Sequence, residues 1–218
     1  MKNKKKKLKI LFEDKSIIVI NKPSGLLTIK TDNTLEKNLY SEVYDYMHKK
    51  NKNNKIFIVH RLDRDTSGIV VFAKSEQIKR ELQDNWNDTD REYVAVVHGK
   101  TKNHDIIKSY IAETKTFYNY STNNKNEGKY AETEYELIKY NKQYSLLKVI
   151  IKTGRKNQIR VHMKDNNTPI VGDRKYGVKD NSRKMLLIAN KLSFTHPVTK
   201  EKTIIELPIP KEYETLVE

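Results

Sequence analysis

His60-Arg61-Leu62-Asp63-Arg64-Asp65-Thr66-Ser67-Gly68 is the densest polar segment of the chain, and it lies between two apolar runs, Ile56 to Val59 and Ile69 to Ala73. Each run has the length and β-branched content of a buried strand. The segment between them is therefore a loop on a rigid scaffold, where binding and catalytic groups concentrate. Asp63 has Arg61 and Arg64 close in sequence, and nearby cations keep a partly buried carboxylate ionised. An ionised, desolvated carboxylate is a usable nucleophile. A salt-bridged turn, with Asp65 or Ser67 capping backbone amides, is the commoner use of such residues. Other chemistries fit less well. A metal on His60, Asp63 and Asp65 would face the flanking cations. Ser67 lacks the nucleophile-elbow pattern of a hydrolase. Asp63 and Asp65 are too close in sequence to imply the geometry of a glycosidase pair.

Outward from this loop, the chain reads as many strands and few helices. Leu8 to about Asn21 holds two short apolar runs around the turn-forming Asp14-Lys15, the pattern of a hairpin, and Pro23-Ser24-Gly25 ends it. Asn33, with Glu36 in the capping-box position, predicts a helix carrying Leu35, Leu39, Val43 and Tyr46 on one face. Ser75 predicts the cap of a second helix with Ile78, Leu82 and Trp86 on one face, and Tyr93 to Val97 reads as a strand. Residues 115–129 are a polar stretch with Phe117, Tyr118 and Tyr120. Two strands, Ala131 to Tyr140 and Tyr144 to Ile151, flank a turn at Asn141-Lys142. A short helix is predicted over 156–164, and further strands around Met185 to Phe194 and Thr203 to Leu207. No internal repeat and no Gly/Pro/Ser-rich linker divides the chain. The pattern predicts an α+β fold around a large sheet.

The 218 residues are enough for a real core. The formal charge is +15; six of the positives (Lys2, Lys4, Lys5, Lys6, Lys7 and Lys9) fall in the first nine residues, and removing them leaves +9 on the rest. A basic body points to a polyanionic partner, although lysine enrichment also follows base composition. Residues 1–7 read as a disordered basic arm, with 8–218 as one domain. The chain has no cysteine, hence no disulfide and no thiolate zinc site. No apolar run has the length of a membrane span, and the basic N-terminus lacks the apolar core of a signal peptide, so a cytoplasmic location is the expectation. The seven glycines form neither nucleotide-binding fingerprint.

Two further segments carry polar chemistry. Thr153-Gly154-Arg155-Lys156-Asn157-Gln158-Ile159-Arg160-Val161-His162 places Arg155, Lys156 and Arg160 across a turn and helix start. That pattern suits phosphate or carboxylate binding, though a solvated basic helix end is the commoner case. Arg91-Glu92-Tyr93 puts a tyrosine at a strand start. Taken in order, these segments resemble the RluA-like family of pseudouridine synthases. The loop His60 to Gly68 is similar to that family's catalytic signature, and Asn21-Lys22-Pro23-Ser24-Gly25-Leu26 to its opening strand and turn. Pro169-Ile170-Val171-Gly172-Asp173, Tyr176-Gly177 and Leu192-Ser193-Phe194-Thr195-His196-Pro197 complete the series, which runs from about residue 11 to 210. Asn157, and Ile188 further on, stand where the family usually or often has His.

The resemblance implies a mixed, mostly antiparallel sheet in two halves, with a central active-site cleft. It implies Asp63 as the catalytic carboxylate, Tyr93 as an active-site tyrosine and Arg160 as the partner of Asp63. His60, Arg61, Arg64, Thr66, Arg155, Lys156 and Gln158 are the accompanying candidates for holding the substrate. The expected activity is isomerisation of particular uridines in ribosomal or transfer RNA, by a monomer without metal or cofactor and away from membranes. An S4-type RNA-binding domain, present in some relatives, has no counterpart in this sequence. RNA affinity is then expected from the catalytic domain, the basic arm and the 115–129 stretch.

Overall fold

A computed structural model describes residues 8–30 and 37–218. The fold is one large mixed sheet with helices on both faces. β1 (Ile10–Glu13) and β2 (Ile17–Lys22) form the expected hairpin, and Asp14 Oδ1 closes its turn by accepting from the amides of Ser16 and Ile17. Helix α1 (Leu39–Lys50) follows. Its cap is Asn38, whose side chain accepts from the Ser41 amide while Ser41 Oγ accepts from the Asn38 amide. The predicted cap at Asn33 and its partner Glu36 lie outside the described residues. The buried face is Leu39, Val43 and Met47; Tyr46 is only half-buried.

β3 (Phe57–Ile58) is shorter than the apolar run predicts, and β4 (Ser67–Ala73) starts inside the polar motif. Then come α2 (Glu76–Asp84), capped by Ser75 as expected, β5 (Asp90–His98), β6 (His104–Glu113), β7 (Asn119–Thr122), β8 (Lys129–Tyr140) and β9 (Tyr144–Ile151). Trp86 sits past the end of α2 in a short 3₁₀ turn. The chain ends with α3 (Gln158–Asp165), β10 (Leu187–Thr195), β11 (Lys202–Glu206) and α4 (Lys211–Leu216). The 115–129 stretch is therefore not one loop: its middle forms β7, which hairpins back on β6.

The strand order is β1-β2-β4-β10-β5-β9-β8-β6-β7, with β3 on β4 and β11 on β10. All pairings between these strands are antiparallel except β4 with β10. That parallel contact is only two residues long, Ser67 opposite Ile188 and Gly68 opposite Ala189. From Lys191 onward β10 pairs with β11 instead, while β5 stays on its other side. The sheet thus forks near Asn190. One half holds β1, β2, β3 and β4; the other holds the remaining strands.

Near the fork each half is covered on both faces, while β6 leaves one face to solvent. In the first half, Ile18, Ile20, Val70 and Phe72 pack with Leu39, Val43 and Met47 of α1. The alternate residues Ile17, Val19, Ile69 and Val71 pack with Leu82 of α2. In the second half, Ala95, Leu147 and Val149 meet Ile159 and Met163 of α3, while Val94, Val96 and Leu146 meet Tyr213 near the C-terminus. Tyr93 packs against a cluster of each half.

Candidate active site

Asp63 lies on the loop between β3 and β4, above the short parallel contact. The segment that follows β2 pins this loop. Lys22 Nζ donates to the carbonyls of Pro23 (3.1 Å), Leu26 (2.7 Å) and Arg64 (2.9 Å). Ser24 Oγ donates to the Asp65 carbonyl, the Gly25 amide to the Arg64 carbonyl, and Thr28 Oγ1 to the Leu62 carbonyl. Lys22 is fully buried. Burial pushes its pKa down to about 8, against the pull of Asp63 and Asp65.

A cavity of about 90 Å³ opens where the halves meet. Arg61, Asp63 and Thr66 line it from the loop, Tyr93 and Leu187 from β5 and β10, and Arg155, Asn157 and Arg160 from the start of α3. A larger groove of about 1000 Å³ runs past Glu13, Lys50 and Lys74. It does not include Asp63, and Glu13 is already committed to Lys50, Lys74 and Tyr46. The convergence of charge, rather than volume, singles out the smaller cleft.

Arg160 organises that cleft. Its Nε and Nη2 each donate to the Asp173 carboxylate at 2.8 Å, a bidentate pair. Its Nη1 donates to Asn157 Oδ1 at 2.9 Å and to Asp63 Oδ2 at 3.4 Å. The expected partnership with Asp63 is therefore the looser contact, and Asp173 is the close partner. Burial alone would lower the arginine's pKa, but the hydrogen bonds and charge of Asp173, then of Asp63, raise it above its ordinary value. For Asp173, burial works upward and is overcome by the Arg160 hydrogen bonds, so its carboxyl is held below the usual range. Asp173 also accepts from the amides of Lys175 and Tyr176, and the Tyr176 ring lies 5.0 Å from the guanidinium.

Asn157 stands at the cap of α3 with φ 59°, the left-handed conformation that Asn adopts more readily than most residues. Its Nδ2 donates to Asn119 Oδ1 and to the Tyr176 hydroxyl. The residue in place of the family's usual His thus orients Arg160. Ile188, the other departure, is buried in the apolar layer beneath Tyr213.

The structure brings Asp63, Tyr93 and Arg160 into one cleft, with Arg61, Thr66 and Arg155 on its wall. It places other predicted residues differently. His60 does not line the cleft: its ring stacks on Trp86 at 4.5 Å, and Nε2 accepts from the Val71 amide at 3.1 Å. Burial, and then Arg91, push its pKa down to about 3, so it is a neutral packing group. Gln158 borders the cleft, but its Oε1 accepts from Thr153 Oγ1 and the Arg155 amide, and its Nε2 donates to the Glu132 carbonyl and Thr133 Oγ1. It braces the turn. Arg64 donates from Nε to the Gly25 carbonyl, and Lys156 pairs with Glu113; both lie outside the cleft lining. Among the described residues no three His, Cys, Asp or Glu side chains converge on a possible metal site. Lys22, Thr28, Asp173 and Tyr176 join the site without having been singled out individually. The one signal for Asp173 is an acidic residue in an apolar setting, Pro169 to Asp173, since a buried carboxylate needs a cation.

Comparison with known proteins agrees with this architecture. Residues 16–165 match the model of the RNA pseudouridylate synthase family. The chain is 33% identical over 226 residues to ribosomal large subunit pseudouridine synthase C of Buchnera aphidicola subsp. Baizongia pistaciae, covering 95% of this chain and 69% of that one. It is 31% identical over 247 residues to tRNA pseudouridine synthase C of Haemophilus ducreyi, covering 96% of this chain and 94% of that one. Human RNA pseudouridylate synthase domain containing 4 superposes with a TM-score of 0.79 at 20% identity, over 94% of this chain and 90% of that one, and so shares the fold. The chain belongs to the RluA-like family of RNA pseudouridine synthases.

Proposed function

We propose that this isomerase converts selected uridines of ribosomal or transfer RNA, with Asp63 as the carboxylate that acts on the nucleoside. The observation that carries the assignment is the position of Asp63. It is half-buried in the cleft, next to an arginine whose charge Asp173 already balances. Asp63 is thus oriented by Arg160 without being locked in a tight ion pair, and its oxygens can reach a bound nucleoside. In the reaction the bond from nitrogen 1 of uracil to ribose breaks, the base turns, and carbon 5 bonds to the sugar. Carbon 5 loses a proton and nitrogen 1 gains one, so the atoms balance without a cofactor.

A uridine in a helix must leave its stack to enter such a cleft. Tyr93 lines the cleft beside Asp63, which supports a role against the extruded base. Burial pushes its phenol up to about 12, against the pull of Arg91, so it remains neutral at neutral pH and suits stacking on an uncharged ring. Arg61 and Arg155 on the wall, with Arg64 and Lys156 nearby, suit phosphates around the target. The substrate classes follow from the names of the relatives in Buchnera and Haemophilus. A monomeric state, away from membranes, belongs to the same proposal. A cytoplasmic location is part of the same proposal, as is attraction of RNA by the lysines of residues 1–7, which lie outside the described residues.

The test is release of tritium from carbon 5 of labelled uridine in RNA. Asp63→Asn nearly preserves shape and removes the charge. We expect its turnover to fall by at least about a thousandfold, the scale on which essential charged groups act, with folding and RNA binding retained. Undiminished release by the variant would sink the assignment.

A further inference from the structure

The tip of the β6–β7 hairpin carries a feature that the cleft chemistry does not use. Phe117 is 70% exposed, by far the most exposed aromatic ring among the described residues. Its backbone sits at φ 60°, a conformation that bulky residues rarely adopt. The tip is built to hold it there. The Phe117 amide donates to the Thr114 carbonyl, the Thr114 amide to the Tyr118 carbonyl, and the Tyr118 amide to Thr114 Oγ1. Lys175 Nζ donates to the Phe117 carbonyl at 2.9 Å. An exposed phenyl ring held in a strained conformation by several hydrogen bonds motivates a functional reading.

Its surroundings indicate the kind of ligand that suits it. Lys156 Nζ lies 5.5 Å from the Phe117 ring, and Lys175 Nζ lies 5.3 Å from the neighbouring Tyr118 ring. The tip therefore presents an aromatic face flanked by two cations. It is also continuous with the cleft. Tyr118 packs on Tyr176 at 5.0 Å, Tyr176 packs on Arg160, and Arg160 reaches Asp63. Lys175 belongs to the same field: burial, then the charges of Arg160 and Lys156, lower its pKa, while Asp63 pulls the other way. An aromatic face between cations is the recurring arrangement for an unpaired base and its phosphates.

We propose that Phe117 is a stacking platform for a base flanking the target uridine, with Lys156 and Lys175 holding the adjoining phosphates. Extrusion of the uridine unstacks its neighbours, and the phenyl ring replaces the lost partner for one of them. The hairpin then contributes to choosing the target, because only RNA able to splay a flanking base toward the tip gains this contact.

The inference rests on the reading that the cleft acts on uridine in RNA, and its test separates the two. Phe117→Asn keeps a residue that tolerates φ 60° and removes the ring; Phe117→Trp keeps a ring. With carbon-5-tritiated total RNA from a strain lacking the gene, we expect Phe117→Asn to raise KM about tenfold with kcat within about twofold. Phe117→Trp should keep the wild-type KM. Its extra tryptophan emission, taken as the difference from wild type, should be quenched by oligouridylate. A wild-type KM for Phe117→Asn would show that the ring only shapes the turn and would overturn the proposal. So would unchanged emission from Phe117→Trp at oligouridylate concentrations that saturate binding by anisotropy. If the wild-type protein released no tritium, the synthase reading would fail on its own, and the quenching would still decide whether the tip stacks a base.

Discussion

Arg160 donates to three side chains, and the strength of each contact decides what can be removed. The two 2.8 Å bonds to Asp173 are charge-assisted and buried, with the Asp173 side chain only 1% exposed. Removing that negative charge leaves Arg160 buried against Asp63 alone, at 3.4 Å. An unpaired buried cation is costly. We therefore expect Asp173→Asn to lose about 3 kcal/mol of stability in urea titration. It should also lose turnover, because Arg160 would draw Asp63 into a tight pair and away from the nucleoside. Unchanged turnover would mean that Asp173 merely fills space. Asp63, Tyr93 and Arg160 stand out in the sequence through the ordered resemblance rather than through local polarity, and the three line one cleft. The inward turn of His60 onto Trp86 was not legible there, since a ring's direction depends on the strand register behind it.

At the scale of elements, the site depends on the two-residue parallel contact between β4 and β10. Gly68 makes that contact possible. It sits at φ +115°, and a Cβ there would lie 2.2 Å from the Ala189 carbonyl oxygen and 2.7 Å from its amide nitrogen. Both obstacles are backbone, so no side-chain rotation relieves them. Gly68→Ala must push β4 away from β10 and move the Asp63 loop with it. The expected cost is about 4 kcal/mol, the range of severe single substitutions, with a matching fall in midpoint on denaturation. A loss below about 1 kcal/mol would show that the strands separate easily and that the fork does not set the loop's position. Strands such as β2 and β4 were readable because each contains an unbroken apolar run, Ile17 to Ile20 and Ile69 to Ala73. β6 was not, because its residues alternate between exposed and half-buried until Ile111. It lies next to the edge strand β7, where little apolar surface is needed. The cap of α1 is Asn38 with Ser41, a box that competes in the sequence with the one Asn33 and Glu36 suggest outside the described residues.

For the molecule as a whole, two histidines with lowered pKa link the scaffold to pH. His60 is pushed down to about 3, by burial and then by Arg91. His162 is pushed down to about 4 by burial, against the pull of Asp165. His162 is fully buried on α3, hydrogen-bonded through Nδ1 to Thr133 Oγ1 and through Nε2 to Ser109 Oγ. It ties α3, and with it Arg160, to β8 and β6. In the unfolded chain both rings titrate near their ordinary value of 6.5. Between pH 6.5 and 4 the unfolded state therefore binds protons that the native state refuses. The sign follows: the stability these rings contribute is complete above pH 6.5 and is lost as pH falls toward 4. Each ring adds a slope of about 1.4 kcal/mol per pH unit once its unfolded form is protonated. The relevant comparison is urea titration at pH 7.5, 6, 5 and 4.5 for wild type and His162→Gln, whose amide can keep one of the two hydrogen bonds. The variant should be less stable at pH 7.5 yet lose less on acidification, its slope below pH 6 being shallower by about 1.4 kcal/mol per unit. Parallel slopes would mean that His162 takes up its proton in the folded state, and that the α3 anchor is not what acid loosens.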